Sequence, residues 1–339
     1  MLNVSPDLIV LILVVIMALS FDFINGFHDT ANAIATSVST RALSPRTAVL
    51  MAAFFNLIGA LTYTGVAKTI GGKIADPFQL QNGLIIVLAA LTSAILWNII
   101  TWWFGIPSSS SHALIGGVSG AVVGAAGFGA INLEGFVSIV QALIISPLVA
   151  FGVGFIVIKV ISALVANFSY HRTNRTFRGM QVLAAAWQSF SHGANDAQKT
   201  MGIISFALIS GGFMHSTTGE ITIPLWVKLS AALAMALGTA VGGWRIIATM
   251  GRKIMKIKPL SGFSADLSSA LIITLFTMFK LPVSTTHVIT SSILGVGASQ
   301  KFSAVKWGVA GRIVVTWIIT LPATALLAAA CYVVFDVIL

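Results

Sequence analysis

Apolar runs of about twenty residues recur along almost the whole chain, at 8–36, 47–66, 83–104, 108–128, 136–158, 181–208, 225–247, 264–280, 283–300 and 307–337. Nothing else in the sequence restricts the fold as much. About 20 apolar residues cross the hydrocarbon core as a helix. A backbone in lipid must pair its own N–H and C=O groups, so only helices and closed barrels span membranes. Barrel strands alternate polar and apolar side chains, and these runs do not. The reading is an all-α, polytopic membrane protein with about 10–12 transmembrane segments. Composition agrees: 8% of the 339 residues are charged, against about 25% in soluble domains.

The first run has no Lys or Arg before it and no small-residue cleavage pattern after it, so it is expected to stay as a span. Cys331 is the only cysteine and lies in an apolar run, so neither an intrachain disulfide nor a zinc site is expected. The net charge of +10 does not point to nucleic acid, because the basic residues gather in short loops. Loop 159–180 carries Lys159, Arg172, Arg175 and Arg178, and loop 245–258 carries Arg245, Arg252, Lys253, Lys256 and Lys258. Loops 129–135 and 209–224 carry no Lys or Arg. Ten crossings of the plasma membrane with both termini extracytoplasmic place each strongly basic loop in the cytoplasm, as the positive-inside rule requires. Arg41 and Arg46 also fall inside, whereas Lys68 and Lys73, next to Asp76, fall outside.

The chain also resembles itself. "GFHDTANA" (26–33) aligns with "GANDAQKT" (193–200) at an offset of 167 residues. "FGIPSSSSHALIGGVSG" (104–120) aligns with "FKLPVSTTHVITSSILG" (279–295) at an offset of 175, and Pro147 then meets Pro322. Two motifs and a mid-span proline in the same order imply two homologous halves, 1–165 and 181–339, joined by a basic cytoplasmic linker, 166–180. Five crossings per half is an odd number, so the second half is expected to sit inverted. Inverted repeats are typical of secondary transporters, with substrate and ions near the midplane where the repeats meet.

Asp22, Asn25, Asp29 and Asn32 fall within an arc of about 80° on one helix face. The second copy presents His192, Asn195, Asp196 and Lys199 over a similar arc. Ionisable residues inside a span mark an ion or substrate pathway; the plainer reading is polar side chains bonding neighbouring helices. Asn25-Gly26 lies near the middle of its run, and glycine's freedom suggests local unwinding that frees carbonyl oxygens. Carboxylate, amide and carbonyl oxygens suit a hard cation. Asp22, Asn25, Asp29, Asn32, Asn195 and Asp196 are the expected ligands, with Na⁺ the first choice and H⁺ the second.

"IPSSSSH" (106–112) and "LPVSTTH" (281–287) share a design: proline ends one segment, hydroxyl residues follow, and a new helix begins. Ser and Thr are strong N-caps, and a helix N-terminus is a ready anion site. Ser109, Ser110, Ser111, Ser284, Thr285 and Thr286 are the candidate anion ligands, with Thr200 added from the first motif. The plainer reading is a capped helix at the membrane surface; the anion reading needs re-entrant hairpins that carry the serines to the depth of Asp22. Carboxylates repel an anion unless cations lie between them, so the two binding events depend on each other. Cation-driven anion symport with alternating access between the halves is the expected mechanism.

At these motifs the chain resembles the inorganic phosphate transporter family, whose signature reads like G-A-N-D-x-x-N-A in each half with a P-x-S-[ST]-[ST]-H element further on. The resemblance covers nearly the whole chain. It implies orthophosphate import, with the aspartates as cation ligands and the Ser/Thr elements around phosphate. The partners it implies are phosphate, Na⁺ or H⁺ and membrane lipids, with no cofactor beyond the coupling ion and with a homo-oligomer possible in principle. Phe27 and His28 depart from the pattern in the first copy and Lys199 in the second. His28, Lys199 and Gln188 therefore have no fixed role. Sulfate is the rival substrate. An intramembrane hydrolase would need an Arg near a Ser/Thr element and an acid-oriented His, but neither His112 nor His287 has an acid within eight residues. An anion channel would not need carboxylates in both halves.

Overall fold

The computed structural model describes residues 6–76, 80, 82–215 and 221–339. Of the parts expected outside, residues 1–5 and residues 216–220 of loop 209–224 lie outside the described residues. Among the described residues there is no β-strand and there are twelve α-helices. In the first half these are α1 (Pro6–Ser39), α2 (Pro45–Thr62), α3 (Gly65–Lys73), α4 (Gly83–Trp103), α5 (Ser110–Ala126) and α6 (Leu133–Leu164). In the second they are α7 (Tyr170–Ser210), α8 (Leu225–Val241), α9 (Trp244–Ala248), which runs into a π-helical turn Thr249–Lys253, α10 (Pro259–Met278), α11 (Thr285–Gln300) and α12 (Trp307–Ile338). The starts of α2, α5, α6, α7 and α11 follow from capping chemistry. Ser44 Oγ accepts from Thr47 N with Pro45 at the first helical position, and Asn132 Oδ1 accepts from Gly135 N at 3.0 Å.

Six helices (α1, α2, α4, α6, α10 and α12) are long and apolar enough to cross a membrane, and α8 forms a further candidate span with the segment 244–253, bent by 60°. The other apolar runs differ for stated reasons. At 17 and 16 residues, α5 and α11 are only about 25 Å long. The polar motif lowers the hydropathy of α7. Two apolar cores hold the bundle: Phe21, Ile86, Leu114 and Met201 belong to one, Ile34, Ile246, Ile273 and Ile293 to the other. Along α1 the polar residues Asp22, Asn25 and Asp29 lie between these cores.

Two expectations change. The segment 166–180 is mostly helix, because Ser169 caps α7 at Tyr170 and its arginines project outward. Asn25-Gly26 does not unwind; α1 is continuous through it. Gly26 is there for close approach: a Cβ on it would lie 2.7 Å from Thr239 N of α8, and one on Gly238 would lie 1.9 Å from Phe23 O of α1. Helices of the two sequence halves also pack on one another. Helix α1 packs on α8, α2 on α7, α5 on α12 and α6 on α11, so each half holds helices of the other.

Candidate functional site

The turns after α4 and α10 are built alike. Gly105 and Lys280 both take positive φ, +62° and +60°. In the first turn Ile106 N donates to Thr101 O and Gly105 N to Trp102 O; in the second Leu281 N donates to Phe276 O and Lys280 N to Thr277 O. This paired bonding closes a helix C-terminus. An extended stretch with Pro107 or Pro282 follows, and then Ser109 or Ser284 starts the next helix as its N-cap. Each motif is thus a helical hairpin with its hydroxyl residues at the tip.

The two tips meet. Ser111 Oγ donates to Val283 O at 2.9 Å, across the hairpins. Ser110 Oγ donates to Asp29 Oδ2 at 2.5 Å, and its repeat counterpart Thr285 donates to Asp196 Oδ2 at 3.0 Å. Thr286 Oγ1 donates to Asp29 Oδ1 at 3.0 Å and accepts from Asn32 Nδ2 at 2.9 Å. Lys199, the repeat counterpart of Asn32, donates to Ser111 Oγ at 2.6 Å, to Val283 O at 2.9 Å and to Asp196 Oδ1. The tip hydroxyls are buried, as are Asp29, Asp196 and Lys199. A capped helix at the membrane surface does not describe these serines.

Ser109 and Ser284 take the plainer role. Their Oγ atoms accept from His112 N at 3.1 Å and His287 N at 3.2 Å, so they serve their own helices rather than the cluster. Asn195 braces the second tip, donating to Thr277 Oγ1 at 2.9 Å and accepting from Val283 N at 3.2 Å. His28 places Nδ1 2.6 Å from Asp29 Oδ1 and Nε2 3.2 Å from Thr101 Oγ1. Gln188 stands apart, with Oε1 accepting from Ser269 Oγ at 2.8 Å and Nε2 unpartnered.

His192 is the residue the sequence reading left out of the ligand set. Its Nε2 is 3.3 Å from Asp196 Oδ2, and ligand atoms of Asp29, His192 and Asp196 all lie within 4.8 Å of one another. The signal was available, since His192 precedes Asp196 by one helical turn. Asp22 lies beside this group, with the Thr200 hydroxyl as its hydrogen-bonding neighbour and Asp196 and Lys199 as its charged ones. Both amide atoms of Asn25 and Asn32 Oδ1 are buried without a hydrogen-bond partner in the protein, and the buried Asp22 carboxylate has only the Thr200 hydroxyl beside it. Buried polar groups are normally paired, and a buried bare carboxylate is costly. Oxygen-rich and short of positive charge, this donor set fits a hard cation.

A model of the "Phosphate transporter family" matches residues 25–328. The chain is 56% identical to the "Probable low-affinity inorganic phosphate transporter" of Bacillus subtilis (strain 168), over 98% of each chain. It is 48% identical to the protein of the same description in Rhizobium meliloti (strain 1021), over 95% of each. Its fold matches a solved structure titled "The sodium-dependent phosphate transporter" with a TM-score of 0.90 and 26% identity, covering 98% of this chain and 100% of that one.

Proposed function

The chain belongs to the phosphate transporter family, and on that footing we propose that it imports inorganic phosphate by Na⁺ symport across the plasma membrane. It is a multi-pass membrane transporter rather than an enzyme; the coupling, the ion ligands and the direction are the proposal. The observation that carries it is how the tip hydroxyls are used. Ser110, Thr285 and Thr286 donate to Asp29 and Asp196, while Ser111 accepts from Lys199. Na⁺ among Asp29, His192, Asp196 and Asp22 would neutralise the carboxylates and release those hydroxyls. The released O–H groups, with the first turns of α5 and α11, supply donors to a tetrahedral oxyanion. Each ligand then removes the cost of the other, which is coupling. The structure titled as sodium-dependent supports the choice of ion.

Phosphate is preferred to sulfate because it still carries a proton at neutral pH. The unpartnered Asn25 oxygen and the sparsely bonded Asp22 carboxylate suit a ligand that can donate. Proton coupling is the second reading, favoured by the His28–Asp29 contact of 2.6 Å. Two homologous halves, 1–165 and 181–339, in inverted orientation remain part of the proposal. Alternating access runs between bundles of mixed origin, because the exchanged helices bind the halves together.

Labelled phosphate uptake into proteoliposomes, with Na⁺ and H⁺ gradients imposed separately and sulfate as competitor, tests the reading. Uptake driven by inward Na⁺ and little reduced by sulfate is expected. Uptake that ignores Na⁺ and follows pH would replace the coupling ion.

A further inference from the structure

A cavity opens beside the first hairpin, between it, the basic segment 245–258 and the start of α12. It has a volume of about 260 Å³ and is lined by Gly105, Ile106 and Pro107 of the hairpin turn, Thr249 and Lys253 of the π-helical turn, and Arg312 of α12, among others. Its walls are held in place. Thr249 Oγ1 donates to Gly105 O at 2.9 Å, and Trp317 Nε1 donates to Pro107 O at 3.3 Å. Gly251 in the π turn lies against α1, where a Cβ would come within 2.8 Å of Ala35 O. π-Helical turns are rare and concentrate at functional sites.

The charge is one-sided. Lys253 and Arg312 are exposed, and among the described residues neither pairs with a carboxylate. The segments around them, 37–47, 245–258 and 301–312, contain no Asp or Glu. A cleft lined by one sign of charge with apolar walls focuses the field and concentrates the opposite ion. The cavity floor also leads to the buried cluster. Pro107 precedes Ser108, whose Oγ is 2.7 Å from Thr101 Oγ1; Thr101 contacts His28 at 3.2 Å, and His28 contacts Asp29 at 2.6 Å.

We propose that this cavity is a second, weaker site for a phosphate group, where the anion is held between the basic face and the first hairpin tip. The inference rests on the phosphate-transport reading above. Lys253 and Arg312 supply two cations for a dianion, on side chains long enough to follow it. Both are exposed to water, so the hold is loose and salt-sensitive, as a transit site requires. A free phosphate ion and a phospholipid headgroup present the same chemistry here.

The test compares the wild type with Lys253→Gln/Arg312→Gln in phosphate exchange, using right-side-out and inverted vesicles. In the variant the KM for phosphate entering at the basic face is expected to rise about tenfold, the scale of a lost focusing field. The KM at the opposite face and the maximal rate should stay unchanged. The charge-keeping pair Lys253→Arg/Arg312→Lys should behave as wild type, and the effect should persist in proteoliposomes of phosphatidylcholine alone. A KM that moves equally at both faces, or at neither, overturns the proposal. An effect seen only with added phosphatidylglycerol assigns the cavity to lipid headgroups and overturns the transit role. Absence of any phosphate exchange by the wild type would count instead against the transport reading.

Discussion

Asp22 and Asp196 are both buried carboxylates of the paired motif helices, yet they stand in opposite electrostatic situations. Asp196 is bound to Lys199 and Thr285, whereas Asp22 has no cation bonded to it and only the Thr200 hydroxyl beside it. Breaking a buried ion pair from one side leaves an uncompensated charge and costs roughly 3–5 kcal/mol. Asp196→Asn should therefore lose coupled uptake and also lower the unfolding temperature in detergent. Asp22→Asn should lose coupled uptake while leaving the Na⁺-free unfolding temperature the same or higher, because it removes a bare charge. Uptake assays beside thermal unfolding with and without Na⁺ separate the two. Full transport by Asp22→Asn would remove it from the ion site. Most of this chemistry could be read from residue types, since acids at helical spacing within an apolar run need compensation. What that spacing could not show is which partner each acid finds. Lys199 looked like a departure from a motif, and its role came from where Ser111 and Val283 stand in space.

At the scale of the element, the hairpins and the glycine contacts decide the architecture. The P-x-S-[ST]-[ST]-H elements announced a helix start, and Ser109 and Ser284 do cap α5 and α11. That the tips are buried and touch each other depends on long-range packing, which no local pattern encodes. Gly26 shows the same limit: its flexibility suggested a break, but the small size of glycine is what the site uses. A methyl group on Gly238 would lie 1.9 Å from Phe23 O, a backbone atom that cannot step aside. Gly238→Ala should destabilise the protein by about 1–3 kcal/mol, the usual cost of overpacking, seen as a lower unfolding temperature in detergent. Gly152→Ala in α6 is the control, because nothing lies within 4 Å of its Cβ position. Equal stability of the two variants would contradict the close α1–α8 contact.

For the whole molecule, the packing of helices of one half on helices of the other bears on the proposed alternating access. α5 comes from the first half and α12 from the second, and they pack along a line of small residues. A Cβ on Gly124 would lie 3.5 Å from Ala329 Cβ, within the range a disulfide spans. With Cys331 replaced by Ala, the pair Gly124→Cys/Ala329→Cys should close a disulfide and still transport phosphate, because both helices belong to one mixed bundle. Uptake measured in oxidised and reduced proteoliposomes checks this. If the halves separated as units, the oxidised protein would be inactive and reductant would restore it.

Apolar runs, a duplicated pair of motifs and acids set in greasy segments determined the all-helical membrane fold, the phosphate transporter family and most of the residues at the centre. Those are local properties, carried by hydropathy, spacing and capping chemistry. The tertiary structure alone decided that Ser110 meets Asp29, that His192 joins the two aspartates, that Gly26 marks a contact rather than a break, and that the halves interlock. Each of these depends on which surfaces exclude lipid from one another across 81 residues of chain or more. A periodic sequence pattern shows which face of a helix is buried, but not which neighbour buries it.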